Sequence, residues 1–140
     1  LHSQMDHGNY IKSFKVNDRE PVEINPIDAK NKGLKNGDIV KLFNDRGACL
    51  AGVKIDEKVM QGVAQISTGA WYDPQNPLEY GSICKHGNPN ILTRDKGTSK
   101  LGQGPIAHSC LIEMEKYNDK PPKVTAHEPP VIIRLDESLN

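Results

Sequence analysis

The chain has 140 residues, room for one domain with a real core but not for two. Its 18 basic and 18 acidic residues cancel, which removes the electrostatic footprint of a nucleic-acid or anionic-membrane binder. No apolar run reaches the roughly 18 residues of a membrane-crossing helix, and the apolar residues cluster in short segments, unlike those of a disordered chain.

The chain opens at Leu1 with no leader of charged then apolar residues, and reads as a piece of something longer. "EPVEIN" places Val22 and Ile24 on one face of a strand. "NPIDAKNKG" predicts a short helix, with Asn25 as N-cap, Pro26 at the first helical position and Gly33 as its stop. Asn36-Gly37 predicts a turn, Ile39 to Phe43 a strand, "NDRG" a hairpin connection and Ala48 to Ile55 a second strand. Asp45 and Arg46 in that connection read as residues of a solvated turn. "QGVAQIST" and "SCLIEMEKY" supply two further strands, the closing one near residues 110–115. Four or five short strands with one or two short helices predict a mostly β domain, a small barrel.

Between the last two strands lies a long polar insertion. "GAWYDPQNPLEYG" opens it, with Trp71 and Tyr72 as packing anchors followed by Asp-Pro and Asn-Pro turns. "HGNPNILTRDKGTSKLGQG", residues 86–104, has almost nothing apolar to bury, and a loop of that length in a compact domain is functional or disordered. Rigid turns and aromatic anchors favour a loop held in one conformation. Asn88, Asn90 and Gln103 carry planar donor–acceptor amides that match the edge of a heterocycle such as a pterin or guanine. Gly97, Gly102 and Gly104 allow close backbone approach, and Thr98, Ser99 and Lys100 suit phosphate oxygens. Turns without a ligand have the same composition.

Other chemistry lacks its pattern. Neither a Walker A loop nor G-x-G-x-x-G is present, and no nucleophile elbow supports a hydrolase triad. His2, His7, His86, His108 and His127 are scattered without zinc spacing. Cys49, Cys84 and Cys110 form no C-x-x-C pair and read as small core residues. The end, "NDKPPKVTAHEPPVIIRLDESLN", is kept extended by two Pro-Pro pairs and reads as a strap or tail that Val131 to Ile133 could anchor.

"LHSQMD", "REPVEINPIDAKNKGLKNGDIVKLFNDRG", "GAWYDP" and "HGNPNILTRDKGTSKLGQG", in that order and spacing, resemble the C-terminal domain of the dimethyl sulfoxide and trimethylamine N-oxide reductase family. "HGNPN" is nearest the trimethylamine N-oxide reductase branch, and the resemblance extends to about Tyr117. It implies a double-psi β-barrel over residues 1–117, with 118–140 as the strap or tail, and a long loop gripping a bis(molybdopterin guanine dinucleotide) cofactor. By resemblance His2, Ser3 and Gln4 lie beside the cofactor, Asn88 and Asn90 bind a second region of it, and Gly102 and Gln103 complete the contact. His7 departs from the family wording and takes no role.

The serine that ligates molybdenum in this family comes from an earlier part of the chain and has no counterpart here. This chain therefore contributes no catalytic residue and no metal ligand, and is expected to be inactive alone. The parent protein would hold the molybdenum and reduce an S- or N-oxide in anaerobic respiration. Its partners would be the remaining domains and an electron-donor cytochrome, in the periplasm, with no nucleic acid and no membrane insertion. The competing reading is a stand-alone double-psi barrel that binds proteins or peptides, which would expose apolar anchors.

Overall fold

The hairpin forms as its turn chemistry dictates. The structure, a computed structural model, describes residues 3–129. β2 (Ile39–Phe43) and β3 (Ala48–Ile55) pair antiparallel from Ile39 opposite Gly52 to Phe43 opposite Ala48. The connection closes with Asn44 N–H donating to the Gly47 carbonyl at 3.0 Å and Arg46 N–H donating to Asn44 Oδ1 at 3.0 Å. An Asn side chain that caps its own turn in this way is the reason such residues dominate hairpin connections. Asp45 is solvated, but Arg46 is not a free turn residue: its Nε donates to the Leu92 carbonyl at 2.8 Å and ties the hairpin to the long loop.

Two short helices precede and follow β1 (Pro21–Ile24). α1 (Asn9–Lys12) buries Ile11. α2 (Pro26–Asn31) starts as predicted, with Asn25 Oδ1 accepting from Ile27 N–H at 2.9 Å and Pro26 in the first turn, and Gly33 beyond it at φ 64°. β4 (Ala64–Ile66) pairs antiparallel with β1, and β5 (Glu113–Lys116) pairs antiparallel with β2. β1 runs parallel to β3, which gives one five-stranded sheet in the order β4-β1-β3-β2-β5. The closing strand is thus shorter and later than residues 110–115, because Cys110 and Ile112 rest on the core without joining the ladder.

The mostly β class with two short helices holds. Among the described residues no ladder joins β4 to β5. Instead a cavity of about 650 Å³ lies between Val63–Ile66 and Ala107–Ile112, with the buried Val22 and Leu42 in its lining. The core beneath comprises Val22, Ile24, Val40, Leu42, Cys49, Ala51 and Val53, with Cys84 added from the long loop. Burial pushes the Cys49 thiol up to about 12, as befits a core residue rather than a nucleophile.

β3 is flanked along its whole length on the β1 side. Its second half pairs with β1, and its first half hydrogen-bonds Cys84, with Leu50 N–H donating to the Cys84 carbonyl at 2.8 Å. Between them Gly52 N–H donates to Glu20 O, and Glu20 N–H to His86 O, each at 3.0 Å. A side chain at Gly52 would put its Cβ 2.3 Å from Val16 Cβ, so the glycine is what lets residues 15–20 lie directly on the sheet. Overpacking of this kind costs about 1–3 kcal/mol. Gly52→Ala should lower the free energy of unfolding by that amount in urea melts, and an unchanged midpoint would contradict the close contact.

Candidate functional site

Residues 86–104 do not behave as one polar loop. His86, Gly87, Pro89 and Leu92 are buried, whereas Leu101, Gly102 and Gln103 are exposed. Gly87 makes the first half possible: it sits at φ 95°, and a Cβ there would lie 2.8 Å from Glu20 Cβ. The chain then enters a 3₁₀ turn, Pro89–Ile91, capped by Asn88 Oδ1 accepting from Asn90 N–H at 2.9 Å.

That turn forms one wall of an open groove of about 460 Å³. Its lining comes from three separated segments: Ser3; Thr68 to Tyr72; and Asn88 with Asn90. A second groove, of about 880 Å³, shares Tyr72, Asn88 and Asn90 and extends past Arg46, Tyr80 and Ile91. With Asn88 Oδ1 spent on the cap, its NH₂ remains available as a donor, and the exposed Asn90 amide offers both donor and acceptor. Trp71 and Tyr72 are 38% and 52% exposed, so they present ring surface to the groove and are not merely packing anchors.

Of the residues expected at a cofactor, the structure therefore brings Ser3, Asn88 and Asn90 together. Gln4 is exposed in the Ser3–Met5 turn and lines neither groove, and His2 lies outside the described residues. Gly102 and Gln103 stand elsewhere, in a turn closed on itself: Thr98 N–H donates to Gly104 O at 2.8 Å, Gly102 N–H to Ser99 Oγ at 2.8 Å, and Gln103 Nε2 to Lys100 O at 3.3 Å. Gln103, not a glycine, takes the left-handed backbone there, at φ 48°.

Behind the first groove lies a buried polar cluster for which the spacing gave no signal. The Asp6 carboxylate accepts from Lys15 Nζ at 2.6 Å through one oxygen. Through the other it accepts from His127 Nε2 at 2.9 Å and Trp71 N–H at 3.2 Å, with His86 Nδ1 3.6 Å away. Lys15 also bonds Glu20. His86 Nδ1 donates to the Trp71 carbonyl at 3.1 Å, and Trp71 Nε1 donates to Ser3 O at 2.6 Å.

Asp6, His86 and His127 thus converge from across the chain, the only such trio among the described residues. The cation already present is Lys15, and His86 Nδ1 is committed to a carbonyl; both facts weigh against a metal between the three. Only folding brings residues 6, 86 and 127 together, and no local spacing in the sequence marks them.

A second cluster sits alongside. Asp73 accepts from Thr125 N–H and from Thr125 Oγ1, each at 2.7 Å, and Lys85 Nζ reaches both Thr125 Oγ1 at 2.7 Å and Asp73 at 3.1 Å. Arg19 is buried and bonds the Pro122 carbonyl. Residues 118–129 are therefore laid across the domain as a strap, while Val131 to Ile133 lie outside the described residues.

Burial pushes the Asp6 carboxyl up, but Lys15, His127 and the Trp71 N–H outweigh it and hold it below the usual carboxylate range. Asp73 is likewise raised by burial and more than compensated by Thr125 and Lys85. Burial, aided by Lys15, lowers His86 and keeps its ring neutral. All three groups bind protons more weakly in the folded chain than in the unfolded one, so stability falls as pH falls. The His86 contribution starts to be lost below about pH 6.5, and those of Asp6 and Asp73 below about pH 4. Thermal melts between pH 7.5 and 3.5 should show both losses, with the earlier one absent in His86→Gln; a pH-independent melt would contradict the buried clusters.

A family model described as "Molydopterin dinucleotide binding domain" matches residues 1–111. Trimethylamine-N-oxide reductase 1 of Escherichia coli (strain K12) is 48% identical over 126 residues, covering 89% of this chain and 15% of that protein. The trimethylamine-N-oxide reductase of Vibrio parahaemolyticus is 47% identical over 134 residues, covering 95% of this chain and 16% of that protein. The chain thus spans a small part of the length of these relatives. Among solved structures, acetylene hydratase from Pelobacter acetylenicus superposes with a TM-score of 0.62 at 16% identity, over 84% of this chain and 16% of that one, a likeness of fold. With the family match running through most of its length, this chain belongs to the Molydopterin dinucleotide binding domain family.

Proposed function

We propose that this chain is the cofactor-holding domain of a larger molybdenum-dependent S- or N-oxide reductase, acting on trimethylamine N-oxide, and that its grooves receive part of a bis(molybdopterin guanine dinucleotide). The observation that carries the reading is the meeting of Ser3, Trp71, Tyr72, Asn88 and Asn90 in one groove of a chain from this family. The molybdenum and its pterins supply the oxygen-atom and electron transfer; protein supplies binding and orientation.

The residues fit the heterocyclic part of such a group better than its phosphates. Free amide edges and two aromatic faces suit a flat, hydrogen-bonding ring. In the second groove Arg46 is outnumbered by Asp45, Glu79 and Asp95, so a pyrophosphate there would need cations from outside this chain. The remaining domains of the parent are the natural source. Leu78, Tyr80, Leu101 and Leu111 are almost fully exposed and give those domains apolar anchors. The same exposure favours the second reading, a module that binds a separate protein. The family resemblance also supports a periplasmic location and a cytochrome donor.

Replacing Asn90 removes amide bonds worth about 1–2 kcal/mol, or roughly tenfold in retention. Asn90→Ala in the parent reductase should lose molybdenum and guanine nucleotide together during gel filtration, measured per mole of protein. Full retention of both would sink the assignment of this groove.

A further inference from the structure

We propose that His127, on the C-terminal strap, is a positioning residue for the first groove: it acts through Asp6 to hold Trp71 and Ser3 in the groove wall. The use of the groove rests on the cofactor reading above; the positioning itself does not.

The path is a chain of direct contacts. His127 Nε2 donates to Asp6 Oδ2, and the same oxygen accepts from the backbone N–H of Trp71. Trp71 passes the constraint on, since its Nε1 donates to the carbonyl of Ser3 at 2.6 Å. Both Trp71 and Ser3 line the groove, and among the described residues neither touches the strap through a hydrogen bond of its own.

Ring contacts reinforce the arrangement. His127 packs edge-on against Trp71, centroids 5.1 Å apart, and edge-on against His86 at 5.0 Å. His86 in turn holds the Trp71 carbonyl, so the peptide units on both sides of this residue are fixed from behind.

Charge explains why the strap is needed. Two buried carboxylates, Asp6 and Glu20, face one ammonium, Lys15, while burial keeps His86 neutral. Asp6 Oδ2 thus has only the Trp71 N–H from the body of the domain and takes its second donor from His127. Such a buried carboxylate, left one donor short, would draw Trp71 N–H and Lys15 into new positions or admit water.

The chain has a single tryptophan, so its indole N–H gives one unambiguous NMR resonance. In the 140-residue chain, His127→Ala should shift that resonance and speed its hydrogen exchange about tenfold. The dissociation constant for GDP, followed at Ser3, Asn88 and Asn90, should rise about fivefold. His127→Gln, which keeps a donor at the same reach, should restore both. Thr125→Ala, which loosens the strap at Asp73 but leaves His127, should leave the indole resonance in place.

An unmoved indole signal in His127→Ala would overturn the inference, as would an equal shift in Thr125→Ala or no rescue by glutamine. If GDP moves no groove resonance in the unaltered chain, the cofactor reading of this groove fails, and the indole comparison still decides the role of His127.

Discussion

A carboxylate cannot be buried alone, and Asp6 is buried. It satisfies its two oxygens with Lys15, Trp71 and His127, three residues that belong to different stretches of the chain. Loss of one partner from such a buried pair typically costs about 3–5 kcal/mol, far more than an exposed ion pair is worth. That constraint forces the first turn, the aromatic loop and the strap to one place. The groove is what their outer faces then form.

The sheet makes the meeting possible. Gly52 removes a side chain where residues 15–20 cross β3, and this brings Lys15 and Glu20 over the same spot. Gly87 does the same for the other partner: its left-handed backbone lets the loop fold against Glu20 immediately after His86. The strap reaches the cluster extended, through Pro121-Pro122, and Arg19 fixes it at the Pro122 carbonyl before Thr125 and His127 find their acids. A run of local backbone choices thus sets up a long-range charge network.

Legibility follows the range of the interaction. The α2 cap at Asn25, the Asn36-Gly37 turn and the β2–β3 hairpin were readable because their chemistry is decided within four or five residues. The parallel pairing of β1 with β3 was not, since nothing local distinguishes it from another hairpin. Asn88 and Asn90 were chosen from residue type and family wording, and the structure brings them to one groove with Ser3. Gly102 and Gln103 were chosen on the same grounds but spend their polar groups on each other's turn. Counting apolar residues hid the division of the long loop, because His86 counts as polar yet is buried against Trp71 and His127. The Asp6 cluster was hidden for a related reason: its members lie up to 121 residues apart.

The distribution of charge also separates the two tasks of this domain. Its buried cations, Lys15, Arg19 and Lys85, are paired with Asp6, Glu20, Asp73 and the strap carbonyl. The groove is left with neutral amides, aromatic rings and the backbone of Gly69 and Ala70. Neutral groups of fixed geometry discriminate the shape and hydrogen-bonding edge of a ligand, whereas point charges mainly add attraction. On the proposed reading, a dinucleotide bound here would be recognised by its ring edges, with its phosphates neutralised from outside this chain. On that reading the buried cations serve recognition indirectly, since they fix the backbone on which the amides and aromatics are mounted.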